Sequence, residues 1–328
     1  MGSCMLTEEI LQLLRDHSSA FLSGEEISRR LRVSRTAVWK RMNGLRSLGY
    51  EIRALRRSGY RLIRSPDLLT PSEVKPLLRT KWLGRTIHYF HAIDSTNSKA
   101  YQLALQGAEE GEIVIAESQT KGRGRLGRHW FSPPFLNLYL SIILRPKIPP
   151  QQVSLITVMA AVATADAIQK YSGLPPAIKW PNDILLGGRK VAGLLNEIHS
   201  EMDQIHFVIL GIGVNLNVDA KMFSREIRRA ATSLRKEMGQ AVSRKAFLQC
   251  LLEELEGWYG VFLKGRGADV LEAWKERARI KGRRVKVASF GETLMGVAVD
   301  VDSDGALILE TKEGERKRIV AGDVEYKR

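Results

Sequence analysis

A short run of glycines and cations limits what the middle of this chain can fold into. The stretch TKGRGRLGRHW, residues 120–130, contains Gly122-x-Gly124-x-x-Gly127, the spacing of the dinucleotide-binding fingerprint. That fingerprint follows a strand and opens a helix, so that pyrophosphate meets the helix N-terminus. The strand-like IVIAE precedes the run, but RHWFSPPFLNLYL follows it, with two prolines and then a β-rich segment. We therefore exclude a dinucleotide-binding turn, and the lack of a closing Gly-Lys-Ser/Thr excludes a P-loop.

The same stretch carries four cations: Lys121, Arg123, Arg125 and Arg128. From these residues alone, an exposed basic hairpin is one interpretation. A nucleic-acid-binding tail is disfavoured because the stretch lies between two apolar strands. A third interpretation is a flexible loop that closes on an anion. Glycine lets the backbone approach a ligand closely, and arginine presents forked donors to carboxylate or phosphate.

Residues 1–65 predict a winged helix-turn-helix domain. LTEEILQLLRDH has apolar residues at helical spacing, and Ser23 and Ser34 each open a further helix as N-caps. YEIRALRRSGYRLI then predicts a hairpin with a Ser58-Gly59 turn. This segment has 13 Lys+Arg against 6 Asp+Glu, so 13 − 6 = +7 of the chain's formal net charge of +15 lies here. That charge favours an anionic partner such as DNA.

The whole chain predicts an α+β multidomain protein. A proline-rich segment, 66–79, is predicted as a linker after the winged helix. Residues 80–278 alternate strand and helix patterns and predict a central α/β domain with a mixed sheet, closed by a helix pair at about 243–278. Residues 279–328 alternate short strands with Gly/Asp turns, which is typical of a small β-barrel.

Cysteine usage and hydropathy favour a cytoplasmic protein. Cys4 and Cys250 are far apart and give no disulfide framework, and the histidines show no metal-ligand spacing, so no structural metal is predicted. The N-terminus lacks the pattern of a secretory signal. We read no uncharged apolar run that approaches the ~18 residues of a membrane span, so no membrane partner is expected.

Five motifs follow one another along the second part of the chain: DSTN at 94–97, GRGRLGRHW at 122–130, KWPNDI at 179–184, RKVAGLLNE at 189–197 and GIGVNLN at 211–217. Together they resemble the successive motifs of the biotin protein ligase family. The resemblance covers roughly residues 80–328, and the winged helix extends it to bifunctional members that also repress the biotin operon. It implies a two-step reaction. The biotin carboxylate attacks the ATP α-phosphate to form biotinyl-5′-AMP, and a lysine of a carboxylase carrier domain then takes the biotin and releases AMP.

The resemblance also implies roles for particular residues. The biotin-binding residues would be Ser95, Thr96, Asn97, Gln119, Arg123, Gly124, Arg125 and Lys190. The nucleotide- and phosphate-binding residues would be Arg123, Arg125, Arg128, Trp130, Lys179 and Asn215. The catalytic residues would be Lys190, Arg125 and Asp183, with the Asp183 carboxylate near the acceptor lysine. Joining anions calls for fixed positive charge and Mg²⁺ supplied with ATP.

Most of these residues also have a plain structural alternative. Ser95 could simply cap the helix that follows it. Gln119 could be an ordinary polar loop residue, and Trp130 could belong to the core. Lys190 could be an inert surface lysine.

The predicted recognition helix supplies the DNA-binding residues. Its N-terminal side chains would face the major groove, and arginines of the wing, including Arg56 and Arg61, would meet phosphates. The residues assigned to DNA are Arg35, Thr36, Trp39, Lys40, Arg41 and Arg57. Repressors of this shape bind two half-sites as dimers, so we expect a homodimer when the adenylate is bound. A protein-binding winged helix is the alternative.

Two other functions stay open. A non-catalytic DNA-binding biotin sensor would have lost part of the cation set, and Arg123, Arg125 and Lys190 are all present. A lipoate-type ligase would use the same adenylation chemistry. The pairing of GRGRLGRHW with KWPND favours biotin.

Overall fold

The computed structural model describes residues 2–201, 204–289 and 292–326. These residues form two compact units that divide between Pro76 and Leu77. The segment predicted as a linker contains a short helix, Pro71–Val74, which lies within the first unit. The predicted domain boundaries stay predictions.

The first unit has the predicted three helices followed by a hairpin. Its elements are α1 (Gly2–Asp16), α2 (Gly24–Leu31), α3 (Arg35–Ser47), β1 (Glu51–Leu55), β2 (Gly59–Arg64) and α4 (Pro71–Val74). Both predicted caps are present, since the Ser23 and Ser34 hydroxyls accept hydrogen bonds from the third residue along, at 3.0 and 3.1 Å. A core that includes Ile10, Ile27 and Met42, all 0% exposed, holds the helices together.

The hairpin turn differs from the prediction. Leu55 pairs with Gly59, so the turn consists of residues 56–58 and not of Ser58-Gly59. Arg57 takes the left-handed conformation there, with φ 69°. Glycine is required at position 59 for a different reason: a Cβ there would lie 2.1 Å from the Leu22 carbonyl oxygen. The glycine lets β2 lie against the segment before α2.

The second unit is built on a seven-stranded mixed sheet. Its strand order is β3-β4-β5-β9-β8-β7-β6, in which β3 and β4 are parallel and the other neighbours antiparallel. The strands are β3 (Ile87–Phe90), β4 (Ile113–Ala116), β5 (Leu138–Leu144), β6 (Ala177–Lys179), β7 (Asp183–Leu186), β8 (Arg189–Glu201) and β9 (Gln204–Val214). No helix follows the glycine loop; residues 125–127 form only a 3-10 turn before β5. The exclusion of a dinucleotide-binding turn agrees with this.

The helices of this unit are α5 (Thr96–Leu105), α6 (Ser154–Ser172), α7 (Leu234–Met238), α8 (Arg244–Leu263) and α9 (Gly267–Ala278). By length and composition alone, the segment Pro150–Ser172 could cross a membrane, contrary to our reading of the sequence. However, 67% of the tested window is buried inside the protein, and α8 and α9 pack against α6. We therefore assign α6 as a core helix.

The predicted C-terminal β unit is a five-stranded antiparallel sheet. It contains β10 (Arg284–Ser289), β11 (Glu292–Val301), β12 (Leu307–Glu310), β13 (Arg316–Ile319) and β14 (Asp323–Tyr326), in the order β13-β12-β11-β10-β14. The Trp180 indole N–H donates to the Gly305 carbonyl at 3.0 Å, and the Ser154 hydroxyl donates to the Asp304 carbonyl. These contacts fasten the C-terminal sheet to the central domain.

Candidate active site

A cavity of about 530 Å³ lies between the central sheet, the glycine loop and the C-terminal strand β14. Every residue that the sequence assigned to the small-molecule site lines it. These residues are Ser95, Thr96, Asn97, Gln119, Arg123, Gly124, Arg125, Arg128, Trp130, Lys179, Asp183, Lys190 and Asn215. Their individual roles stay predictions.

One wall of the cavity is a hydrogen-bonded polar network. The Gln119 side-chain oxygen accepts from the Thr96 amide at 2.8 Å and from the Thr96 hydroxyl at 3.1 Å. The buried Ser141 hydroxyl lies 2.8 Å from Thr96 Oγ1 and 2.6 Å from Asn97 Oδ1. Ser95 does cap α5, as its alternative role suggested. Such a network fixes rotamers and presents oriented donors and acceptors to a bound ligand.

Three strand glycines shape the floor of the cavity. A Cβ on Gly211 would lie 2.2 Å from Asn97 Oδ1, and a Cβ on Gly213 would lie 2.6 Å from the Trp130 ring. A Cβ on Gly193 would lie 2.9 Å from the Lys190 side chain. Each glycine therefore marks a close approach of side chain to backbone, a common reason for glycine inside a strand.

Lys190 is placed by a tight hairpin between β7 and β8. Gly187 and Gly188 have φ values of 55° and 76°, and positive φ at both central positions is what a type I′ turn requires. The Lys190 ammonium lies 2.5 Å from the Asp183 carboxylate and 5.3 Å from the centre of the Trp130 ring. The side chains of Lys190 and Asp183 are 33% and 20% exposed, so this ion pair faces the cavity while shielded from most solvent.

Each arginine of the glycine loop has a partner. Arg123 contacts Glu197 at 3.0 Å and donates to the Ser98 hydroxyl at 3.1 Å. Arg125 donates to Asn182 Oδ1 at 3.3 Å and to the Gly322 carbonyl at 3.2 Å.

Burial lowers the pKa of Arg125, although the guanidinium remains charged at neutral pH. Arg128 forms an ion pair with Asp323 of β14. The loop is thus held over the cavity by partners in the central domain and in the C-terminal sheet.

Lys179 and Asn215 complete the lining. Lys179 ends β6, and its side chain is half-buried at the cavity. Asn215 is 3% exposed, and its side-chain oxygen accepts from Asn137 at 3.4 Å. Asn137 in turn accepts from the Leu216 amide at 3.0 Å, which holds the turn after β9 in place.

The residues assigned to DNA lie in the first unit, and they do not line the cavity. On α3, Arg35, Thr36 and Lys40 are exposed, and Trp39 is 57% exposed. Arg41 is half-buried. A large exposed aromatic residue among cations on one short helix is consistent with a binding surface.

Sequence reasoning missed several residues of the site. Ser141 lies inside a continuous apolar strand and gives no local signal. The strand glycines could have been found, because glycine inside a strand often marks a close approach. The cavity residues of β14, Asp323, Glu325 and Tyr326, could not have been found, since only the fold brings them to the loop.

Comparison with known proteins agrees with this architecture. The biotin/lipoate A/B protein ligase family model matches residues 89–215, an HTH domain model matches 7–61, and a biotin protein ligase C terminal domain model matches 281–326. The bifunctional ligase/repressor BirA of Bacillus spizizenii is 39% identical over 320 residues, which cover 98% of each chain. BirA of Escherichia coli is 29% identical and covers 93% of this chain and 92% of its own length.

A solved structure shares the fold of the second unit. The biotin protein ligase from Aquifex aeolicus in complex with biotin and ATP superposes with a TM-score of 0.64 at 27% identity. The match covers 74% of this chain and 99% of that one.

The fold and cavity define a ligase of the biotin/lipoate type that carries an N-terminal helix-turn-helix unit. The chain belongs to the family of bifunctional ligase/repressors, since it aligns with such a protein at 39% identity over almost the entire length of both. The predicted family, fold class and enzyme class are thereby confirmed.

Proposed function

We propose that this chain is an ATP-dependent biotin protein ligase that is also a biotin-responsive, DNA-binding transcriptional repressor of the cytoplasm. One observation carries the proposal. The polar and cationic residues of five separate motifs line a single cavity, in a chain that is 39% identical to a bifunctional ligase/repressor. The polar network of Thr96, Asn97 and Gln119 would hold biotin, and the cations would hold its carboxylate and the ATP phosphates.

The first step joins two anions. A biotin carboxylate oxygen attacks the α-phosphorus of ATP, and pyrophosphate leaves. Lys190, Arg125 and Arg123 lower the repulsion between carboxylate and phosphate, because fixed cations in a shielded site stabilise charge without reorganising solvent. Mg²⁺ is proposed to enter with ATP, since this ion commonly binds substrate phosphates and few protein carboxylates.

The second step needs a proton acceptor. The lysine amine of the carrier domain attacks the acyl carbon of biotinyl-5′-AMP, AMP leaves, and the amine loses a proton. Asp183 is suited to take it, because the phosphate would draw the Lys190 ammonium away from its 2.5 Å contact and free the carboxylate. Two further carboxylates near the loop are held by its arginines, Glu197 by Arg123 and Asp323 by Arg128.

Biotin-dependent exchange between ATP and labelled pyrophosphate tests the enzymatic part against its main alternative. We expect biotin to start the exchange, and lipoate in tenfold excess to leave it unchanged. Exchange that responds to lipoate and not to biotin would point to a lipoate-type ligase. A chain that binds biotin and DNA yet exchanges nothing would be a non-catalytic sensor.

The repressor part predicts a separable DNA-binding defect. Arg57 is exposed at the tip of the hairpin, and Arg57→Asn removes its charge while asparagine tolerates the positive φ. If Arg57 contacts a phosphate, affinity for all DNA sequences falls alike, and the salt slope of binding falls by about 1. Titrations at several salt concentrations measure this, with pyrophosphate exchange as the control that should not change. A loss confined to one DNA sequence would contradict the assignment.

Homodimerisation is proposed because a helix-turn-helix protein reads two half-sites as a dimer. One segment of the seven-stranded sheet is suited to a contact between two copies of the chain. Strand β7 pairs with β8 only as far as Gly193, and within the described residues no strand pairs with that side of β8 from Leu195 to Glu201. Exposed strand edges template pairing with a second chain. Sedimentation with and without biotin plus MgATP is expected to show dimer only with both; a monomer under all conditions would contradict the proposal.

A further inference from the structure

One buried polar atom in the cavity has no role in the reaction described above. The hydroxyl oxygen of Tyr326, on β14, is buried and has no hydrogen-bond partner among the residues that the structure describes. Tyr326 lines the cavity. A buried hydroxyl without a partner is costly, so such a group inside a cavity indicates a ligand atom that completes it.

The position of Tyr326 is fixed by its neighbours. Its strand pairs with β10, where Tyr326 lies opposite Val285, and the Arg283 guanidinium stacks 4.9 Å from the centre of its ring. The start of the same strand is tied to the glycine loop through Gly322 and Asp323. The ring is thus held from the C-terminal sheet at the wall of the cavity.

The chemistry of the hydroxyl is that of a neutral donor. Burial raises the pKa of Tyr326, the nearby Asp183 carboxylate raises it further, and Arg283 opposes the shift. The phenol therefore keeps its proton at neutral pH and offers it to an acceptor. Asp183 lies beside Lys190 and within electrostatic range of Arg125. Lys190 and Arg125 line the same cavity as Tyr326, so the acceptor that suits both these cations and a phenolic donor is an anionic oxygen of the ligand.

We propose that Tyr326 is a substrate-contacting residue whose hydroxyl donates a hydrogen bond to the phosphate of the bound acyl-adenylate. The assignment rests on the proposed ligase function. It makes the C-terminal sheet part of the nucleotide site, and it predicts that this hydroxyl discriminates the adenylate from biotin alone, because biotin has no phosphate.

The test compares Tyr326→Phe with the wild-type full chain by calorimetric titration. One ligand is biotin, and the other is a non-hydrolysable analogue of biotinyl-5′-AMP that keeps the phosphate. Phenylalanine preserves the ring and its stacking on Arg283. The matched control is Tyr171→Phe, since the Tyr171 hydroxyl accepts from the Ser243 amide at 3.0 Å and does not line the cavity.

We expect Tyr326→Phe to lose about 10- to 100-fold in affinity for the analogue, the range for a hydrogen bond to a charged group, and to bind biotin as the wild type does. The control should bind both ligands normally. Equal losses for both ligands, or no loss for either, would overturn the assignment of Tyr326 while leaving the ligase function standing. A wild-type chain that binds neither ligand would overturn both proposals.

Discussion

Replacing Lys190 by alanine is expected to slow biotin-dependent pyrophosphate exchange about 10²- to 10³-fold, the cost of removing one preorganised charge-stabilising group. The substitution removes the ammonium that faces the cavity beside Asp183 and Trp130. The loss should appear in kcat, because the charge acts most strongly where negative charge concentrates in the transition state.

The neighbouring Arg189→Ala is the matched control for charge. Arg189 precedes Lys190 on β8, and its guanidinium pairs with Glu237 at 2.7 Å without lining the cavity. The Arg189→Ala variant loses the same formal charge from the same strand. Because that charge lies outside the cavity lining, pyrophosphate exchange should stay close to the wild-type rate. Similar losses in both variants would mean that the overall electrostatic field of the protein sets the exchange rate and that Lys190 has no particular role.

Replacing Arg244 by leucine is expected to lower the free energy of unfolding of the second unit by about 3–5 kcal/mol. Arg244 of α8 is 1% exposed, and its guanidinium lies 2.6 Å from the Glu117 carboxylate, whose side chain is 0% exposed. Arg244 also donates to the Asn137 carbonyl at 3.3 Å. Removing one member of a buried pair leaves the other charge without its main partner in a region of low dielectric constant.

The double variant Glu117→Leu/Arg244→Leu separates this cause from lost packing. Because it removes both charges, it should recover a large part of the stability lost in Arg244→Leu. Urea unfolding followed by tryptophan fluorescence measures both variants. If the double variant is less stable than the single one, the buried charge is not the origin of the loss.

The local elements of this protein follow from local sequence. Ser23, Ser34 and Ser95 each precede a helix and cap it, and Gly187-Gly188 predicts a tight turn that presents Lys190. These features depend on a few adjacent residues, so backbone preferences suffice to predict them.

The predictions that fail, and the site residues that no prediction includes, depend on contacts between segments that are distant in sequence. The local pattern predicts Gly59 as a turn glycine, but glycine is needed there because the Leu22 backbone lies close, a contact that no local pattern reveals. Arg125 meets the Gly322 carbonyl across 197 positions of sequence. Tyr326 likewise lines the cavity only because the fold brings β14 to the glycine loop. A pattern of short strands and turns predicts a small sheet without predicting which of its edges faces another domain.

The most direct test of the ligase function is to incubate the purified chain with biotin and MgATP and to analyse the bound small molecules by mass spectrometry. We predict biotinyl-5′-AMP with biotin and no lipoyl-5′-AMP when lipoate replaces it. Folded protein that binds biotin but forms no adenylate would contradict the account and leave a DNA-binding sensor in its place.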